Sequence, residues 1–368
     1  MGMILYHYCE SGFPERSMSC FFCQGEAERT CPDCPLRGCP AHLGLHNRGG
    51  KCQLWTVGHV EGAGRGLMAA RNIQAGEVVL RDWALVEGPL LSSSSPVCAV
   101  CFQEGEEGEV GDCKDCGLPI CKSRAKGCIK LHKRECEVMA GGIQELGRES
   151  LFTVVAVVRL LWQAERDPSV RALLDPLMDH REEKEDDEER KKIASFLAKR
   201  GLEEEAVLRV LGVLQTNGVT SRSAGGLPQA HALYPVFSIT NHRCVANTRH
   251  GREGEAFCLI ATVNIAKGSE ITTSYNSPSL GSIARRPQFR NLWHFDCTCA
   301  RCADPAELGT LASALTCSSC PGHFLPQKPL DQDSDWGCAR CSCQFALAIH
   351  SVVELGVEPP CRTRRRRG

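Results

Sequence analysis

Glycine is scarce between residues 143 and 215, and apolar side chains there recur at helical spacing, as at Leu151, Val154, Val155, Val158 and Leu161. That period predicts helices. Residues 55–90 differ: short apolar runs are broken by glycine, which predicts strands joined by tight turns. Strand-like patterning returns over 233–276, as in AFCLIATVNIAKGSEITTSY. The run REEKEDDEERKK at 181–192 mixes both signs and predicts a solvated helix face or loop. Ser92–Pro96 reads as a linker, and the tail CRTRRRRG as an unpatterned end.

Composition changes this picture in one respect. The 368 residues allow one large or two to three ordinary domains, and 42% hydrophobic content is ordinary, but aromatics at 6% are sparse. Zinc is therefore expected to stabilise part of the fold alongside a core. A net charge of −1 and the lack of dense basic patches in the cysteine-rich fingers argue against direct nucleic-acid binding. Leu151–Trp162, the most apolar stretch, is far too short to span a bilayer and contains Arg159. The N-terminus MGMILYHYCESG lacks a signal-peptide pattern.

The 25 cysteines carry the chemistry. Most stand in C-x2-C pairs followed by His and Cys, and a disulfide framework has no use for the histidines. Zinc takes four such ligands tetrahedrally, and a two-residue spacer lets both sulfurs of a pair face one ion. In the first block, Cys20, Cys23, Cys39 and His42 form one expected site, and Cys31, Cys34, His46 and Cys52 the other. In the second block, Cys98, Cys101, Cys121 and Cys128 precede Cys113, Cys116, His132 and Cys136. His132 and Cys136, four apart, share one side of a helix. Cys297, Cys299 and Cys302 lack a fourth ligand, for which Cys244 is the candidate. Cys317, Cys320, Cys338 and Cys341 have zinc-ribbon spacing, with Cys343 a spare for Cys341. Cys9, Cys258 and Cys361 are expected as free thiols. Such sites are structural, and reduced thiolates imply the cytoplasm or nucleus.

Four segments between the arrays name a family. Gly64-Arg65-Gly66-Leu67, Asn241-His242-Arg243-Cys244, Glu270-Ile-Thr-Thr-Ser-Tyr275 and Phe295-Asp-Cys-Thr-Cys-Ala-Arg-Cys302 occur in that order. Together they resemble the SET domain of protein lysine methyltransferases. The cysteine-rich finger inserted between the strand segments and the helices resembles the SMYD (SET and MYND) subfamily. The extra N-terminal finger, without a long C-terminal helical-repeat domain, looks like its arthropod-type members.

The resemblance implies a mixed α+β, zinc-rich fold. It divides into a first MYND-like finger (15–53), the N-terminal part of SET (54–97), an inserted MYND-type finger (98–136), a helical insert (140–228), the C-terminal part of SET (229–277), a post-SET zinc site (278–305) and a ribbon-like module (306–350). It implies S-adenosyl-L-methionine as cofactor, contacted by Gly64, Arg65, Gly66, Asn241 and His242 and flanked by Trp293. Tyr275 would be the catalytic tyrosine, Phe295 would line the lysine channel, and Cys244 would complete the post-SET zinc site. The implied partners are a lysine-bearing protein substrate and short peptides at the MYND-type finger, with no membrane and a monomeric state. The family's usual serine is Arg243 here: pointing inward it would obstruct the cofactor, pointing outward it would be harmless. A non-catalytic adaptor or corepressor built on the same modules is the rival reading.

Overall fold

The computed structural model describes residues 20–363, apart from 21, 24–25, 32–36, 47–51, 91–96, 104, 106–108, 123–126, 181–186, 223–227, 254–255, 342 and 346–361. The expected linker, the first half of the charged run, Cys9, Cys34 and Cys361 lie outside the described residues.

The first cysteine-rich module pairs β1 (Arg29–Thr30) with β2 (Arg37–Gly38) and continues into α1 (Pro40–His46). Strands β3 (Trp55–Val60), β4 (Gly64–Ala69), β5 (Val78–Asp82) and β6 (Val86–Pro89) follow. The second module has β7 (Val110–Asp112), β8 (Pro119–Cys121) and α2 (Cys128–Met139). Five helices make the insert: α2 runs on into α3 (Gly142–Leu146), α4 (Arg148–Arg166), α5 (Pro168–Leu174), α6 (Glu188–Ala198) and α7 (Glu204–Asn217). Strands then resume with β9 (Gly218–Arg222), β10 (Pro228–Leu233), β11 (Asn241–His242), β12 (Thr248–Glu253), β13 (Ala256–Ala261) and β14 (Glu270–Thr273). Helices α8 (Ser282–Trp293) and α9 (Ala300–Ala303) lead to β15 (Leu315–Thr316), β16 (His323–Pro326), β17 (Trp336–Cys338), β18 (Cys343–Phe345) and β19 (Arg362–Thr363).

The fold is mixed α+β. Its small sheets join strands from both sides of the helical insert: β6-β10-β9, β11-β14-β4-β3 and β12-β13-β5. None of these three sheets is complete until the chain has returned from the helices. Helix α4 is the hub of the main core, with Leu151, Phe152, Val154 to Val158 and Leu160 all buried. It is buried nearly all round, so its β-branched run packs as helix despite modest helix propensity. Asp167 caps α5 by accepting from the Ser169 N–H at 2.9 Å, and Asp187 caps α6 from the Arg190 N–H at 3.1 Å. The charged residues just after Asp187 open α6 with Glu188 and Glu189 at its favourable N-terminal turn.

Two boundaries differ from expectation. Helix ends at Asn217, before the strand Gly218–Arg222, so the last residues of the 140–228 segment are not helical. Gly218 caps α7 in extended backbone, and the β-branched Val219 and Thr220 pair with Ala232 and His231 instead. The tail is not wholly unpatterned, since Arg362 and Thr363 pair with Gln344 and Cys343. Among the described helices none is long and apolar enough to cross a membrane.

Candidate functional site

Among the described residues, cysteine and histidine ligand atoms come within 4.8 Å of one another at Cys20/Cys23/Cys39/His42, Cys98/Cys101/Cys121/Cys128, Cys113/Cys116/His132/Cys136, Cys244/Cys297/Cys299/Cys302 and Cys317/Cys320/Cys338/Cys341. Zn–S bonds of 2.3 Å around a tetrahedron separate sulfurs by about 3.8 Å. The Sγ atoms of Cys244 and Cys297 are 3.8 Å apart, those of Cys101 and Cys121 3.6 Å, and those of Cys317 and Cys341 3.7 Å. Donor chemistry and spacing thus fit zinc. The other expected site of the first block is described in part: Cys31 and Cys52 sulfurs lie 3.7 Å apart and His46 is buried in α1. Cys343 is disulfide-bonded, so it is neither a thiol nor a stand-in for Cys341. Cys258 is a free, buried thiol.

His42 is oriented from behind. His42 Nε2 lies 3.1 Å from the Ala172 carbonyl, so it carries the proton and leaves the Nδ1 lone pair beside Cys39 Sγ at 3.0 Å. The same contact docks the first module on α5. His132 Nε2 is 3.3 Å from Cys116 Sγ, and burial lowers its pKa, which keeps the ring neutral as a ligand must be.

The sheet β11-β14-β4-β3 brings the remaining expected residues together. Asn241 and His242 pair parallel with Thr272 and Thr273, and β14 pairs antiparallel with β4 at Met68 and Leu67. Asn241 Nδ2 donates to the Arg65 carbonyl at 3.0 Å and to Glu270 Oε1 at 2.9 Å. Gly66 makes this possible: a Cβ there would sit 2.7 Å from both Asn241 Nδ2 and Val60 Cγ2. Gly66→Ala is expected to cost about 1–3 kcal/mol through this overpacking, measured as a lower urea midpoint with an unchanged slope. Gly64 has φ +76°, where glycine alone is unstrained. The Arg65 guanidinium turns away to the Pro176 carbonyl of the helical insert.

His242 and Tyr275 are interlocked. The Tyr275 N–H donates to His242 Nδ1 at 3.1 Å, which puts the ring proton on Nε2, 3.3 Å from Cys244 Sγ. Burial, before any charge effect, lowers the His242 pKa to about 4, so the imidazole is neutral. The Tyr275 hydroxyl donates to the Thr240 carbonyl at 2.8 Å, and burial raises its pKa, keeping the phenol protonated. Trp293 lies 5.1 Å from the Tyr275 ring, and Phe295 meets that ring edge-on at 6.4 Å. Arg243 is outward: its side chain is 60% exposed, with Nη2 3.6 Å from Glu270 Oε2.

Sequence reasoning missed several residues of the site. Phe289, fully buried, stacks on Phe295 at 5.1 Å and meets His242 at 4.3 Å. Arg285 contacts two cysteines of the Cys244 cluster. Arg159, noticed only as a charge in an apolar run, grips Glu135 of α2 at 2.5 and 3.0 Å and donates to the Glu87 and Ala99 carbonyls at 2.9 and 3.0 Å. It thereby joins the second finger to β6 and α4. The signal that could have found these residues is weak: arginine or phenylalanine at an interior helix position.

Comparison with known proteins gives a consistent result. A family model described as the SET domain matches residues 64–276. The Drosophila melanogaster protein "SET domain-containing protein SmydA-8, isoform B" is 30% identical over 308 residues, covering 80% of this chain and 68% of the relative. The mouse (Mus musculus) "Histone-lysine N-methyltransferase Smyd1" is 27% identical over 269 residues, covering 66% of this chain and 54% of that protein. Among solved structures, "Structure of Rubisco LSMT bound to AdoMet" aligns at a TM-score of 0.38 and 12% identity, over 68% of this chain and 53% of that one. The chain thus spans about two thirds of the fly relative and about half of the mouse one.

Proposed function

The chain belongs to the SET-domain family, in its SMYD branch, and from this we propose that it is an S-adenosylmethionine-dependent protein-lysine N-methyltransferase. The observation that carries the reading is the convergence of Tyr275, His242, Phe289, Phe295 and Trp293 on one aromatic cluster beside the Cys244 centre. The cofactor, when bound, supplies an electrophilic methyl group on a sulfonium. Backbone of Gly64–Gly66 and of Asn241–His242 would hold it, with Arg243 outside the site.

A target lysine is charged in water, with a reference pKa near 10.4, and cannot attack. Aromatic walls exclude water and disfavour its charged form. The Tyr275 hydroxyl and the Thr240 carbonyl that accepts from it are 2.8 Å apart, and together they orient the amine lone pair. Alignment of this kind is the main source of acceleration. Tyr275→Phe is expected to lower methylation of a lysine-bearing protein by about 10²-fold. S-adenosylmethionine affinity, read by isothermal titration, is expected to stay the same, since the lost hydroxyl acts in the transition state. Equal loss of binding and turnover would remove Tyr275 from that role.

The adaptor reading is favoured by one observation: the side chains of Asn241 and Arg65 are both committed within the chain. A wild-type protein that binds no S-adenosylmethionine would decide for it. We assign short peptide partners to the second finger, whose helix α2 exposes Ile129 and Leu131. We infer the cytoplasm or nucleus as its location, because thiolate ligands must stay reduced to hold zinc.

A further inference from the structure

Arg285 of α8 has a side chain only 2% exposed, and its guanidinium does not serve a carboxylate alone. Nε lies 3.2 Å from Cys244 Sγ and Nη2 lies 3.4 Å from Cys302 Sγ. Nη1 donates to the Glu307 carboxylate and, at 2.9 Å, to the Leu280 carbonyl. Glu307, equally buried, accepts from the Ser282 N–H at 2.8 Å and from Ser313 Oγ at 2.5 Å, and lies 3.5 Å from Arg301 Nε. Its backbone is left-handed at φ 52°, a conformation that costs a non-glycine residue energy. The loop after α9 therefore holds a strained residue where its carboxylate meets Arg285.

The charges alternate along this line. Four thiolates around a divalent cation carry two net negative charges, and burying them uncompensated is costly. A guanidinium with two N–H groups on two of the sulfurs offsets that charge and fixes both thiolates in place. His242 Nε2 adds a third N–H at Cys244 Sγ. We propose that Arg285 is the positioning residue of the four-cysteine centre, balancing its thiolate charge and orienting Cys244 and Cys302, while Glu307 holds Arg285 on the sulfurs. The proposal rests on the metal reading of that cluster.

The test uses the full-length protein with zinc, and with cobalt(II) in its place. Arg285→Met is expected to speed extraction of one metal equivalent by a chelator by about 10- to 100-fold, the usual effect of removing a group that supports metal ligands. It is also expected to shift the thiolate-to-cobalt charge-transfer band, which general loosening of the fold would not single out. Arg285→Lys, which keeps the charge but not the fork, should recover part of the effect. Glu307→Gln should move both readouts in the same direction by less, and serves if Arg285→Met does not fold. In a Cys244→Ala background the Arg285 effect should vanish. Unchanged extraction and an unchanged band in folded Arg285→Met or Glu307→Gln protein would overturn the proposal, as would an undiminished effect in the Cys244→Ala background. A wild type whose metal content equals that of Cys244→Ala would overturn the metal reading itself and the proposal with it.

Discussion

Cys244→Ala is expected to lower the zinc content by about one of roughly six per chain and to abolish S-adenosylmethionine binding in the same protein. The roughly six follow from arrays of two, two, one and one sites. Cys244 stands two residues after His242, and its partners Cys297, Cys299 and Cys302 lie beyond α8. Any ion held there closes a link between β11 and the segment that carries Phe295. Without it, the aromatic wall at Phe289 and Phe295 is left to its ring contacts with His242 and loses the metal link to the strand at Asn241–His242. Structural zinc binding contributes about 10–16 kcal/mol of apparent free energy in small metal-dependent modules, so loss of one site is not absorbed locally. Elemental analysis and isothermal titration on one sample check both halves. Normal cofactor affinity in a metal-deficient variant would break the coupling, and fewer than three zincs in the wild type would reject the site assignments.

The second large effect is on stability. Arg159→Met is expected to lower the unfolding free energy by about 3–5 kcal/mol, because it strands the Glu135 carboxylate in the interior. The Arg159 and Glu135 side chains are 17% and 11% exposed, so water reaches the abandoned charge poorly. Two carbonyls, of Glu87 and Ala99, also lose their donor. Arg159→Met combined with Glu135→Leu should recover most of the loss, since an apolar pair can replace a buried ion pair at little cost. Urea titration of the wild type and these two variants is the measurement. A single variant within 1 kcal/mol of wild type would show that this pair is dispensable.

Both effects meet at long-range contacts, and those were the least legible parts of the chain. The aromatic cluster shows this well. Tyr275 and Phe295 could be picked out because they stand in motifs of fixed order, whereas Phe289 is one apolar residue in a helix of mixed character. Its importance comes from stacking on Phe295 and His242, which depends on how α8 lies across β11. Arg243 was ambiguous for the same reason. A residue name carries no direction, and only the strand pairing at Thr273 turns its side chain out to Glu270.

What the sequence alone determined is local. Helical period over 143–215 and glycine-broken runs over 55–90 specify element type, because side-chain direction repeats within a few residues. Grouping of cysteines within each finger is equally local, since short spacers leave the sulfurs few places to go. Tertiary structure decided what spans distance: the sheet assembled from strands on both sides of the helices, Arg159 between finger and core, and Arg285 with Glu307 against the sulfurs of Cys244 and Cys302. It also decided Cys343, whose spacing suggested a ligand but whose sulfur is oxidised. The physical reason is common to all of these. Desolvation selects whichever buried partner the packed chain brings within reach, and no period or spacing in the sequence encodes that partner.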